Sequence, residues 1–135
     1  MSKLIKTMAM VAILMSTHLC ALGAPTLSMI NKAKAIVEEA RYQLPIESGG
    51  MTLTQVSFDS KSYSLIYRYY FLFPMEKPSN EVLKERKLGA IHTLKGNPGT
   101  GELEMLKGGI SFWYNYYNPD GTFLYAIKIT PADIR

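Results

Sequence analysis

The chain has 135 residues, 47% of them hydrophobic, a formal charge of +4 and one cysteine. That length suits a single domain, and a lone thiol cannot build a disulfide framework or a thiolate metal centre. So small a positive excess does not mark a nucleic-acid binder or a protein held to anionic lipid by charge.

Residues 1–23 read as an export signal, leaving 24–135 as a single small α+β domain. Lys3 and Lys6 give a positive start, Met8 to Met15 a compact apolar run, and Ala21-Leu22-Gly23 the small residues that a signal peptidase inspects. Cleavage is expected after Gly23, because a cut after Ala24 would leave Pro25 first. Two rival readings exist. One is an uncleaved anchor over Ile5 to Leu22, strained at His18. The other is lipidation at Cys20, where Leu19 occupies the position that needs a small residue. Cleavage removes Lys3, Lys6, His18 and Cys20, so the mature chain keeps 112 residues, a charge of +2, no cysteine and one histidine, His92. Small exported domains often lean on disulfides because their cores are thin; this one relies on packing or on a partner. The expected location is a bacterial periplasm or the exterior.

Apolar residues at Leu27, Ile30, Ala33, Val37, Ala40 and Leu44 step by three and four, which predicts a helix over 27–44. Thr26 is its N-cap and Pro45 its stop. Ile36 falls beside Lys32 on a flanking row. Ser48-Gly49-Gly50 reads as a turn. Met51 to Phe58 predicts a strand whose alternation breaks near Gln55: Met51 and Leu53 share one parity, Val56 and Phe58 the other, which a β-bulge would reconcile. Asp59 to Ser62 is a hairpin turn, and Tyr63 to Phe73 an aromatic strand ended by Pro74. Ser79 caps a second helix over 80–94, with Val82, Leu83, Ala90, Ile91 and Leu94 on its apolar side. Thr100 to Lys107 predicts a short helical turn closed by Gly108. The last hairpin joins Ile110–Tyr117 to Thr122–Thr130 through Asn118-Pro119-Asp120-Gly121, with Pro and Gly placed for a type I turn and glycine bulge.

The order helix-hairpin-helix-hairpin predicts an antiparallel sheet of about four strands with two main helices on one face. Ile66-Tyr67-Arg68-Tyr69-Tyr70 and Trp113-Tyr114-Asn115-Tyr116-Tyr117 look alike at an offset of 47 positions. That likeness reads either as a duplicated helix-hairpin unit or as chance among strand-favouring residues.

Little reactive chemistry is available. His92 has no companions at metal-ligand spacing. Asp59 and Asp120 sit in turns, where aspartate bonds local backbone. No Gly-x-Ser-x-Gly elbow is present, and the loop from Gly96 to Gly101 lacks the ending of a phosphate cradle. No catalytic residue, metal or cofactor is therefore expected. The aromatic strands are the distinctive feature. Alternation assigns Leu65, Tyr67, Tyr69 and Phe71, with Ile110, Phe112, Tyr114 and Tyr116, to the covered core. Phe123, Tyr125, Ile127 and Ile129 make one row of the last strand, opposite Leu124, Ala126 and Lys128. If the hairpins pair side by side, Arg68, Tyr70, Trp113, Asn115, Tyr117 and Lys128 share one open face. Trp, Tyr and Arg are enriched at contact hot spots, although aromatic pairs also serve simply to stabilise sheets.

The expected function is a non-enzymatic accessory or chaperone-like factor. It binds another periplasmic or membrane protein through that face, without nucleic acid, and touches membrane only through an uncleaved signal. A second reading is an inhibitor or immunity protein that blocks an enzyme with loop 97–101 or loop 118–121. A carbohydrate-binding protein or small hydrolase is the third.

Overall fold

The computed structural model describes residues 24–135, so the expected export segment, its cut after Gly23 and Cys20 lie outside the described residues. Helix α1 spans Leu27–Arg41, and the Thr26 hydroxyl accepts from the Met29 amide at 3.2 Å as its cap. The helix closes three residues short of Leu44. The Tyr42 and Gln43 amides turn back to the carbonyls of Glu39 and Ala40, tightening the last turn. Its buried stripe centres on Ala33, with Met29, Ile36, Val37 and Ala40 against the core. The stripe is thus rotated from the expected one: Ile36 is inside, while Leu27 is 72% exposed.

The sheet is not the four-stranded antiparallel one expected; the shared feature is the α+β class. It has five strands in the order β1-β2-β3-β4-β5 and is mixed: β1 Ile46–Ser48, β2 Met51–Asp59, β3 Ser64–Phe71, β4 Ser111–Tyr117 and β5 Phe123–Ile129. The additional strand is β1. Gly49 and Gly50, at φ +60° and +79°, close a two-residue turn that pairs Ile46 with Leu53 and Ser48 with Met51. Three residues are too few for alternation to register in a sequence. Strand β3 starts one residue later than expected, because Tyr63 takes a left-handed φ of +50° to finish the turn. It stops at Phe71, which pairs with the first residue of β2.

The larger correction is that β3 and β4 run parallel. A parallel pair needs a long crossover. Here it carries helix α2, Asn80–Gly96, capped by the Ser79 hydroxyl on the Val82 amide at 3.3 Å, a 3₁₀ turn over Pro98–Thr100, and the short helix α3, Glu102–Lys107. The look-alike segments are the two halves of this parallel pair. Ile66 pairs with Trp113, Tyr67 with Tyr114, Arg68 with Asn115, Tyr69 with Tyr116, and Tyr70 with Tyr117. A duplicated helix-hairpin unit would place the likeness on equivalent strands. It falls instead on the last strand of one hairpin and the first of the next, so shared sheet rows account for it.

The break near Gln55 is a bulge. Pairing jumps from Leu53–Tyr69 to Gln55–Arg68, leaving Thr54 out of register with its hydroxyl on the Arg68 carbonyl at 3.3 Å. Met51, Leu53, Val56 and Phe58 consequently face the same side. One core joins Leu53, Val56 and Phe58 of that row to Leu65, Tyr67 and Phe71, to Phe112, Tyr114 and Tyr116, and to Tyr125, Ile127 and Ile129. The helices add Ala33, Ile91, Leu94, Met105 and Leu106. All three helices therefore contribute to covering one face, with Leu65, Leu106, Ile110, Phe112 and Ile129 fully buried. The start of the domain is tied in as well. Pro25 is buried against Gly109, where a Cβ would sit 3.0 Å from the Pro25 nitrogen and a φ of +100° would strain any side chain.

The bulge makes a direct test possible. Deleting Thr54 restores strict alternation and keeps the same apolar residues inward, so unfolding free energy should change by no more than about 1 kcal/mol. Deleting Ser57 swings Phe58 to the solvent side and should cost about 1.5–3 kcal/mol; urea denaturation measures both.

Burial on the helix side raises the pKa of the Tyr67, Tyr69 and Tyr114 hydroxyls, with the Glu102 carboxylate adding to it. Burial, and then the neighbouring Tyr125, pushes Tyr116 up to about 12. The unfolded chain ionises these phenols near pH ~10 while the fold holds them neutral. Their stabilisation is complete below pH ~10 and is lost as the pH climbs through the folded values. Denaturation midpoints should accordingly fall between about pH 10 and about pH 12, with phenolate absorbance from these four appearing together with unfolding.

Candidate functional site: the open face of the sheet

The residues that alternate with the core rows lie on the face that none of the helices among the described residues covers. Register across β2, β3, β4 and β5 sets them in three cross-strand rows. Ser57, Ile66, Trp113 and Lys128 form one; Gln55, Arg68, Asn115 and Ala126 the next; Thr52, Tyr70, Tyr117 and Phe123 the third. All six residues singled out from the sequence, Arg68, Tyr70, Trp113, Asn115, Tyr117 and Lys128, are thereby brought together. Arg68 and Lys128 are exposed, whereas the other four are half-buried among one another.

The aromatic contacts on this face are specific. The Tyr70 and Tyr117 rings stack at 5.2 Å and 20°, and Phe123 meets Tyr117 edge-on at 5.6 Å and 69°. Arg68 lies over the Tyr117 ring at 5.1 Å, and the Lys128 ammonium over the Trp113 ring at 4.1 Å. A cation above a ring face is attracted by the ring quadrupole, and its stem covers apolar surface. Among the described residues neither cation takes part in an ion pair.

Phe123 belongs to this face, although simple alternation puts it with Tyr125. Pairing passes from Tyr116–Tyr125 to Tyr117–Phe123, a second irregularity that sets Leu124 out of register. Phe123 ends 54% exposed and Leu124 9% exposed. Nothing in the local sequence marks that bulge. Leu72, two residues beyond Tyr70, is also exposed. The Asn118 side chain pins the chain that follows to the β4–β5 turn, donating to the Met75 carbonyl at 3.1 Å and accepting from its amide at 2.8 Å.

The remaining polar groups do local work. Asp59 accepts from the Ser62 hydroxyl at 2.6 Å and the Lys61 amide at 3.2 Å, which holds its carboxyl below the usual range. The Thr122 side chain, and then the Thr122 amide donating at 2.9 Å, lower the Asp120 carboxyl in the same way. His92 is exposed on α2. Among the described residues no three His, Cys, Asp or Glu side chains are grouped to hold a metal ion, and no helix is long and apolar enough to cross a membrane. On the helix side, a recess of about 380 Å³ is lined by Met51, Phe71, Tyr116 and Tyr125, with the Arg86 guanidinium donating to the Tyr125 hydroxyl at 2.9 Å. Loop 97–101 is folded on itself, the Thr100 hydroxyl donating to the Asn97 carbonyl at 3.0 Å.

No family model and no curated protein matches this sequence. Solved structures do share the fold. The type II secretion system pilotin AspS from Vibrio cholerae superposes with a TM-score of 0.55 at 15% identity, over 78% of this chain and 92% of that one. EpsS, a pilotin of the Vibrio vulnificus type 2 secretion system, gives 0.52 at 16% identity, over 81% and 90%. A protein from Pseudomonas aeruginosa, provisionally described as secreted, gives 0.53 at 11% identity, over 80% and 94%. At these identities the likeness establishes the architecture and nothing finer.

Trp113 is the only tryptophan in the chain, so its emission reports directly on the open face. Replacing Lys128→Gln removes the cation over its ring. Emission should change in intensity and wavelength, and stability should fall by about 0.5–1 kcal/mol, the range for an exposed cation–π pair.

Proposed function

We propose that this protein is an exported, non-enzymatic accessory factor that docks another protein of the cell envelope through its open sheet face. The observation that carries the reading is the in-register pairing of β3 with β4. It sets Arg68, Tyr70, Trp113, Asn115 and Tyr117 side by side on the uncovered side, with Lys128 added by β5. Aromatic and arginine side chains held on rigid strands lose little freedom when a partner closes over them, which suits them to anchor a contact. The fold shared with two secretion-system pilotins supports a place for this protein beside a secretion apparatus. The N-terminal segment, with its two lysines and apolar run, supports export.

Affinity purification from envelope extracts, followed by mass spectrometry, tests the proposal. Trp113→Ala combined with Tyr70→Ala should reduce capture of the partner at least ~30-fold, as loss of a hot spot worth ~2 kcal/mol or more implies. The circular dichroism spectrum should stay unchanged. Substitutions at Asn97 and Asp120, in the two loops, should leave capture intact. Undiminished capture by the double variant would rule this face out.

A further inference from the structure

We infer that the segment docking on this face is an acidic amphipathic helix of the partner, an inference that rests on the face being a protein-docking surface. The charges point to it. Both cations of the face, Arg68 and Lys128, lie over aromatic rings and are free of carboxylates within ion-pair distance. The acids on this side, Glu47 and Asp59, belong to β1 and the far end of β2, away from β4 and β5. Asp59 is already engaged by Ser62 and Lys61.

The spacing suits a helical occupant. Arg68 and Lys128 stand two strands apart and two residues apart along the strand direction, since Arg68 shares a row with Ala126. With strands ~4.8 Å apart and ~3.3 Å per residue, their positions are separated by about 12 Å. A helix rises ~1.5 Å per residue, so acids seven or eight positions apart, two turns along one face, match that distance. Trp113 and Asn115 lie between the cations, where apolar side chains three and four positions on from the first acid would rest. Tyr70, Tyr117 and Phe123 make the next row and flank that line along one side. A helix is also the element that closes a sheet face in this molecule, as α1 and α2 do on the other side. Two cations fall short of the clusters of 4–8 that mark recognition of anionic lipid.

Titration of the purified protein, expressed with its own N-terminal segment, tests this through Trp113 emission. The probes are a tryptophan-free helical peptide with Glu at positions i and i+7 and Leu at i+3 and i+4, its Gln counterpart, and vesicles containing phosphatidylglycerol. The acidic peptide should give a saturable response, weakened at least tenfold in the Arg68→Gln/Lys128→Gln variant and again by raised salt. The Gln peptide should bind at least tenfold more weakly than the acidic one. Equal binding of the two peptides, or no response to either, overturns the acidic helix while leaving the docking face to stand or fall by partner capture. A response to vesicles without one to the acidic peptide overturns it in favour of a lipid surface.

Discussion

Everything that positions the open face depends on one pairing, the parallel and in-register alignment of β3 with β4. Parallel strands carry residues of like parity on the same side, and a register without offset in the repeated pattern sets tyrosine beside tyrosine on both faces. Tyr67 stacks on Tyr114 and Tyr69 on Tyr116 inside, each at 5.2 Å, and Tyr70 stacks on Tyr117 outside at the same distance. Offset ring pairs are each worth about 0.5–1.5 kcal/mol beyond their area. A shift of one residue would set tyrosines of one face against arginine, asparagine and tryptophan of the other, losing the stacks and sending polar groups under the helices. The repeated pattern thus selects the register that the fold uses.

The two faces then diverge because of what covers them. Inside, the tyrosine rows continue into Leu65, Phe112, Ile127 and Ile129 and are closed by α1, α2 and α3. Outside, the same strands present rings that are covered only by their neighbours and by the stems of Arg68 and Lys128. Those cations let an aromatic row remain in water: each masks a ring with methylene groups while keeping its charge solvated. A bare aromatic face of this breadth would invite unspecific association.

Much of this was legible in the chain itself. The first long helix follows from apolar steps of three and four, the second from the apolar side that ends in Ala90, Ile91 and Leu94, and their caps from Thr26 and Ser79, because those signals are local. Asp59 and Asp120 proclaim their turns for the same reason, and broken alternation at Gln55 locates the bulge at Thr54. Period-two alternation groups Arg68 with Tyr70, and Trp113 with Asn115 and Tyr117, within their own strands; that these and Lys128 share one side needed the hairpins to lie side by side, which β3–β4 pairing provides. What could not be read is non-local. The strand direction of β4 relative to β3 is decided by a crossover of nearly forty residues, and hairpin order says nothing about it. The strand β1 is three residues long, and Phe123 changes sides through a bulge that leaves no mark in the residues around it.

The same geometry explains how the described residues, which include no cysteine and no grouped metal ligands, offer a rigid surface. Tyr117 is held from three directions at once, by Tyr70, Phe123 and Arg68, and its backbone neighbour Tyr116 is wedged on the opposite side between Tyr69 and Tyr125. Each aromatic residue outside is therefore fixed by packing inside, through the strand that carries both. Side chains held in this way have little freedom left to lose, so any contact made there would cost little free energy in ordering them. Sites built on strands hold their geometry better than sites built on loops. Arg68, Trp113 and Asn115 lie within their strands, and Tyr70 and Tyr117 close to the strand ends, all on backbone that is paired to a neighbouring strand.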